Sequence, residues 1–290
     1  MDLDGVQIAT ILQDVLLNNW SEVPASLTWA TYDPTITWAN AENVGLGEID
    51  TGNYELHSRA SSRTDVYSLV SALANSGLGY LYEDAQGRIS YADSTHRVNY
   101  LAANGYTEFS GNKALARGVS IQTRAGDVRN DVTVIYKNDQ EVSATDIASI
   151  ATYGQLSQIF NTSLEHETDA ESQAEFYLTL RANPQANFNA LTFELTNPEI
   201  TDGERDALIN IFMGLPVAFT DLPLNMVAGR FQGFVEGWTW KAGFNQLALT
   251  INASPLAFSL QAQQWNDVTN TETWSSVLNT LDWANALIVT

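Results

Sequence analysis

The residue types that most often do chemistry are sparse in this sequence. It holds three histidines, His57, His96 and His166, and no cysteine. His57 and His96 stand apart from other candidate ligands and read as structural or exposed side chains. His166 sits in Glu165-His166-Glu167, with Asp169 and Glu171 close behind. Imidazole and carboxylate together could attract a divalent cation. The simpler reading is a solvated helix start, where acids suit the positive end of the helix dipole. No His-x-x-x-His pair is present for a zinc enzyme. Asp2-Leu3-Asp4-Gly5 begins like a calcium loop, but the later ligands are missing. The glycines build no phosphate cradle, and there is no Gly-x-Ser-x-Gly elbow for a nucleophilic serine. The absence of cysteine excludes disulfides, thiolate metal sites and cysteine nucleophiles. Glycosidase carboxylate pairs are set by distance in space, so the 34 acids leave that chemistry open. The residues therefore lead us to expect no enzyme, no metal and no cofactor.

The tryptophans carry a stronger pattern. Six of the eight fall in two triplets, Trp20, Trp29, Trp38 and Trp265, Trp274, Trp283, each with a step of nine. Trp38 and Trp283 are both followed by Ala-Asn-Ala, so this is an internal repeat. Nine residues rotate a helix by about 900°, which turns successive rings to opposite sides. In a flat strand an odd step also changes face. Turn formers lie between the rings: Pro24, Asp33 and Pro34 in the first triplet, Asn266, Asp267, Asn270 and Asn279 in the second. Each triplet thus reads as short pieces that offer one Trp apiece. Three uses compete: burial in the chain's own core, anchoring of a protein interface, and stacking on sugars.

The elements that would position these residues differ between the two halves. Residues 6–20 place Val6, Ile8, Ile11, Leu12, Val15 and Leu16 at helical spacing. A loop with Pro24 and Pro34 follows, and residues 49–56 suggest a turn feeding a short strand. Thr64 is the expected N-cap of a second helix, with Val66, Leu69, Val70 and Leu73 on its buried face and Gly77 as its stop. A hairpin is expected from residues 79–82 and 88–91, turning through Gly87. From about Val119 the texture becomes β-branched, with strands at 119–123 and 131–136. Thr168 to Glu171 has capping-box spacing and predicts a helix ended by Pro184. Residues 188–195 alternate as a strand. Thr201 to Glu204 is a second capping box, opening a helix stopped at Gly214. Strands are expected at 231–240, 246–251 and 256–260.

Composition sets the outer bounds. With 290 residues, 44% hydrophobic, the chain can bury a core of one large domain or two ordinary ones. No apolar run approaches the length of a membrane span, and the acidic N-terminus does not read as a secretory signal. The net charge is −21, from 13 basic and 34 acidic residues. A duplex-binding protein needs cations to displace counterions, so no specific nucleic-acid binding is expected. Acid serves solubility, and it would also let DNA slide past without sticking.

A resemblance joins these observations. Asn130-Asp131-Val132-Thr133-Val134-Ile135-Tyr136 precedes the run from Asp146 to Gly154. After it come the acidic helix with Ala170 and Ala174, the Leu222-Pro223 turn, and Phe231-Gln232-Gly233-Phe234-Val235-Glu236-Gly237. This order resembles minor tail proteins of long-tailed bacteriophages that form the tail tip or baseplate hub. The Trp-rich segments are similar to ones in tail proteins of actinobacterial phages. The resemblance covers roughly residues 5–255. It implies a structural protein of the virion tail tip, made in the host cytoplasm, joined to other tail proteins as a homo-trimer around the DNA path. It also implies β-barrel domains related to the tube protein. Hub proteins usually begin with one more tube-like barrel, whereas this chain starts at the first helix. Either a separate chain supplies that barrel, or this subunit has another role in the tip. The expected fold is α+β: a helix–hairpin domain at 1–115, a β-barrel-like domain with inserted helices at 116–261, and a Trp-bearing arm at 262–290. The six triplet tryptophans are the candidate interface residues. The alternative is a carbohydrate-binding module that contacts host cell-wall glycans.

Overall fold

A computed structural model describes residues 2–13, 47–58, 64–84, 88–115, 121–123, 125–184, 186–188, 190–222 and 229–256. The helices are α1 (Asp4–Gln13), α2 (Val66–Ser76), α3 (His96–Asn104), α4 (Ile147–Tyr153), α5 (Glu167–Arg181) and α6 (Asp202–Ile209). The strands are β1 (Tyr80–Glu83), β2 (Ile89–Ala92), β3 (Thr107–Ser110), β4 (Ile121–Thr123), β5 (Asp131–Tyr136) and β6 (Gln140–Thr145). They continue with β7 (Ser157–Asn161), β8 (Ala186–Phe188), β9 (Leu191–Glu194), β10 (Pro216–Thr220), β11 (Phe231–Gly243) and β12 (Gln246–Pro255). The contacts divide the chain into two units. One holds Met1–His96, Asp131–Thr145 and Ser157–Glu175; the other holds Arg97–Asn130, Asp146–Leu156 and Phe176–Thr290.

In the first unit α1 begins at Asp4, and Ile8 and Leu12 are its buried face. Helix α2 starts one residue later than Thr64 suggests. The cap is Asp65, which sits in extended backbone and accepts the Ser68 N–H at 2.8 Å. Its carboxylate reaches that amide directly and adds negative charge at the helix start. Gly77 closes the helix as expected, its N–H donating to the Leu73 and Ala74 carbonyls. The expected hairpin forms, with Tyr80 opposite Ala92 and Glu83 opposite Ile89. A second sheet runs β6-β5-β7, antiparallel on one side of β5 and parallel on the other. Its central strand alternates: Val132, Val134 and Tyr136 are buried, while Asp131, Thr133 and Ile135 face outward. That period of two is what a half-buried strand requires.

Helix α5 corrects another expectation. It begins at Glu167, so Thr168 lies inside it rather than capping it. The His166 carbonyl already accepts the Ala170 N–H at 3.3 Å, which commits Thr168 to helical backbone. The strand expected at 188–195 is two strands, β8 and β9; of the strand expected at 119–123, Ile121–Thr123 form β4, and residues 119–120 lie outside the described residues.

The second unit is built on a five-stranded sheet ordered β3-β10-β11-β12-β9. Strand β3 pairs parallel to β10, and the remaining neighbours are antiparallel. Phe109, Phe193, Phe219 and Phe231 form the centre of its core; Phe219 and Phe231 stack with centroids 6.2 Å apart. Helix α6 carries the capping box that Thr201 and Glu204 predict, and it buries Leu208. In the same unit Asn130 is fully buried but satisfied. Its amide donates to Gly154 O at 2.8 Å and to Ser149 Oγ at 3.2 Å, and its oxygen accepts the Leu156 N–H at 2.8 Å. The class is α+β as expected, and among the described residues the sheets are open, not closed into a barrel.

Candidate assembly surface

The six triplet tryptophans, Trp20, Trp29, Trp38, Trp265, Trp274 and Trp283, lie outside the described residues. The histidines lie within them, and each has a local partner. His57 Nδ1 is 2.9 Å from Ser163 O, His96 Nδ1 is 2.8 Å from Asp50 Oδ2, and His166 Nε2 is 2.8 Å from Glu55 Oε2. An antiparallel bridge between Leu56 and Leu164 sets His57 opposite Ser163 and Glu55 opposite Glu165. Glu165 is bonded to the Lys137 ammonium, which holds its carboxyl below the usual range. These contacts tie one segment to another. Among the described residues no three or more His, Asp or Glu side chains stand together as a metal cage. Asp4, the second acid of the calcium-loop-like start, is buried. It accepts the Tyr91 hydroxyl on one oxygen and the Tyr54 N–H at 3.1 Å on the other. Burial is the main cause that pushes its carboxyl up.

The conspicuous surface feature is the β11–β12 hairpin. Strand β10 covers β11 only from Phe231 to Phe234, and β9 covers β12 only from Ala248 to Ile251. Beyond Val235, β11 pairs with β12 alone among the described strands. From Gly237 to Gly243 this outer half reaches about 20 Å at ~3.3 Å per residue. Its departure point is a bulge: the register shifts between Val235 and Gly237, leaving Glu236 as the extra residue. Arg97 grips Glu236 in a fork, with N–O distances of 2.7 and 3.0 Å, and Ser254 Oγ donates to the same carboxylate at 2.6 Å. The guanidinium also lies over the Phe234 ring, 5.2 Å from its centroid.

Alternation then decides what the hairpin shows. Trp238 and Trp240 share a face, opposite Ile251 and Leu249. Trp238 packs on the sheet core, whereas Trp240, one step further out, is 39% exposed. At the tip Asn245 takes the left-handed corner with φ 56°. Its neighbour Phe244 is 97% exposed. Lys241, on β11, is exposed too, and its charge acts on Glu194, whose carboxylate is bonded to Gln246 and the Leu247 N–H. A second apolar surface lies on α4, where Ile147 is 80% exposed. None of these residues stood out in the sequence. The available signals were Trp-x-Trp before a two-residue turn and an aromatic at that turn. A further signal was the run from Gly237 to Asn266, which contains no Asp or Glu.

No helix among the described residues is long and apolar enough to cross a membrane. No protein-family model matches the chain, and no curated protein matches it significantly. Solved structures with similar backbones include a tail protein from Neisseria meningitidis, at 12% identity and a TM-score of 0.48, covering 73% of this chain and 61% of that one. Another is the prophage MuSo2 tail protein from Shewanella oneidensis, at 9% identity and a TM-score of 0.45, covering 74% of this chain and 59% of that one. A third is a prophage tail protein from Listeria monocytogenes, at 12% identity and a TM-score of 0.32, covering 63% and 51%. The chain thus spans about three-fifths of the length of the first two.

Proposed function

We propose that this chain is a structural subunit of a bacteriophage tail, built into the tail tip or baseplate hub around the DNA path, and that it acts by assembly rather than catalysis. The observation that carries the assembly role is the β11–β12 hairpin. Beyond a locked bulge its β11 edge is covered by no described strand, and it holds Phe244 97% exposed at its tip. An exposed aromatic on a fixed turn is a candidate contact element, since aromatic side chains are common interface anchors. The tail assignment is supported by residue order. The run at 130–136 is strand β5, the run after Asp146 is the capped helix α4, and Phe231 to Gly237 leads into the hairpin. A net charge of −21 suits a wall that passing DNA must not stick to. Residues 262–290, with the second Trp triplet, form the proposed docking arm, and a homo-trimer is the proposed ring.

The test is genetic. A phage that lacks this chain is expected to accumulate heads without complete tails, because an assembly subunit is needed before the tail closes. Normal-looking tails that fail only to adsorb to host wall glycans would contradict the reading and favour a carbohydrate-binding role.

A further inference from the structure

We infer that Asp4 is a proton-sensitive latch: helix α1 is held in its unit most tightly when this carboxyl carries a proton, and the hold weakens as the carboxyl ionises. The inference goes beyond the assembly reading and does not depend on it.

Asp4 is the first residue of α1 and the one ionisable side chain of that helix. It is fully buried. One oxygen accepts the Tyr91 hydroxyl from β2, and the other accepts the Tyr54 N–H at 3.1 Å. The Asp4 N–H donates in return to Tyr54 O at 3.0 Å. Backbone closes the pocket on two more sides, since a Cβ on Gly52 or on Gly77 would lie 2.0 Å from a carboxylate oxygen. The side chain of a cation has no room on those sides. Among the described residues no ion pair includes Asp4. A carboxylate taken out of water without a counter-charge is costly, and hydrogen bonds from two neutral donors offset only part of that cost.

The charged groups around the pocket add to that cost. Asp50 and Asp93 act on the Tyr91 phenol, and Asp169 of α5 acts on Tyr54. All three are acids. The His96 imidazole is bonded to Asp50 and not to Asp4. Helix α2 brings Gly77 and no charged side chain. The positive end of the α1 dipole favours the anion, but burial outweighs it and raises the carboxyl above its free value of 3.8. A carboxyl raised on folding stabilises most below 3.8, and that contribution is lost as the pH rises through the folded value. The loss falls on the seating of α1, because Asp4 joins this helix to the segment 47–58 and to β2. Acid therefore tightens α1 and rising pH loosens it.

The experiment is amide hydrogen exchange on the full chain, read by mass spectrometry from about pH 4.5 to about pH 7.5. The reading is the protection of residues 5–13, corrected for the intrinsic pH dependence of exchange. In the wild type it is expected to fall by about tenfold or more across the series. Asp4→Asn keeps the size of the side chain and an oxygen for the Tyr54 N–H, but it cannot ionise. Its protection should stay nearly level. Tyr91→Phe leaves the ionised carboxyl with one donor fewer, so its fall should be steeper than that of the wild type. A wild type with level protection overturns the inference. A fall that survives in Asp4→Asn also overturns it, because Asp50, Asp93, Asp169 or His96 would then be its source. Should Asp4→Asn fail to fold, a fall in Tyr91→Phe no steeper than in the wild type overturns it instead. The genetic test of the tail role stands or falls separately, because the latch lies within one unit of the chain.

Discussion

Asp4 shows how much one buried group can organise. It is fully buried, and its two oxygens are held by Tyr91 and by the Tyr54 amide. Gly52 and Gly77 pack so closely that a Cβ on either would lie 2.0 Å from a carboxylate oxygen. Burial, with Asp4 alongside, keeps the Tyr91 phenol far above its usual range, so it remains a donor at any working pH. Asp4→Ala strands that hydroxyl and the amide in the interior. The expected cost is about 2–3 kcal/mol, read as a lower urea midpoint with an unchanged slope. Glu204 is the opposite case. The Lys113 ammonium, at 2.6 and 2.7 Å, and the Thr201 N–H hold its carboxyl down to about 2. A carboxyl with a lowered folded pKa stabilises above its unfolded value of 4.5, and that contribution is lost as the pH falls from there to about 2. Urea unfolding over that window should show a smaller loss of stability on acidification in Lys113→Ala than in the wild type. Equal losses would mean that the pair contributes nothing.

The hairpin makes the argument at the scale of an element. Its edge is interrupted by the bulge at Glu236, whose carboxylate is held by the Arg97 fork and by Ser254. Arg97→Ala removes both bonds and the contact with Phe234. Glu236 is partly in water, so the expected loss is modest, about 1–2 kcal/mol. Proteolysis should show first cleavage near residues 236–245 in the variant. First cleavage elsewhere would mean that the bulge holds without Arg97. Much at this scale was legible from sequence. The alternation of 131–136 is a local signal, and so are the Thr201 capping box and Gly77 as a helix stop; each is read within one turn or one strand. What stayed hidden depends on distant chain. The parallel pairing of Thr107–Ser110 with β10 joins segments about a hundred residues apart, and neither segment names the other. The burial of Asp4 follows from Tyr91, which arrives from a different element. Thr168 looked like a cap because its motif is local, and the His166 carbonyl captured the turn first. Phe244 is exposed because β9 and β10 stop short of the tip, which no pattern within the hairpin states.

At the scale of the whole molecule, charge is the property most plainly written in the sequence. A chain with 13 cations against 34 acids should not retard duplex DNA in a gel, even at low salt. Retardation that falls steeply with salt would mean that the cations are gathered on one face, and that the acidic-wall account is wrong. The central claim is that the chain is built into the tail tip. Electron microscopy of phage particles labelled with an antibody to this chain tests it most directly. The account predicts label at the end of the tail away from the head. Label along the tube, or particles that carry none of the chain, would contradict it.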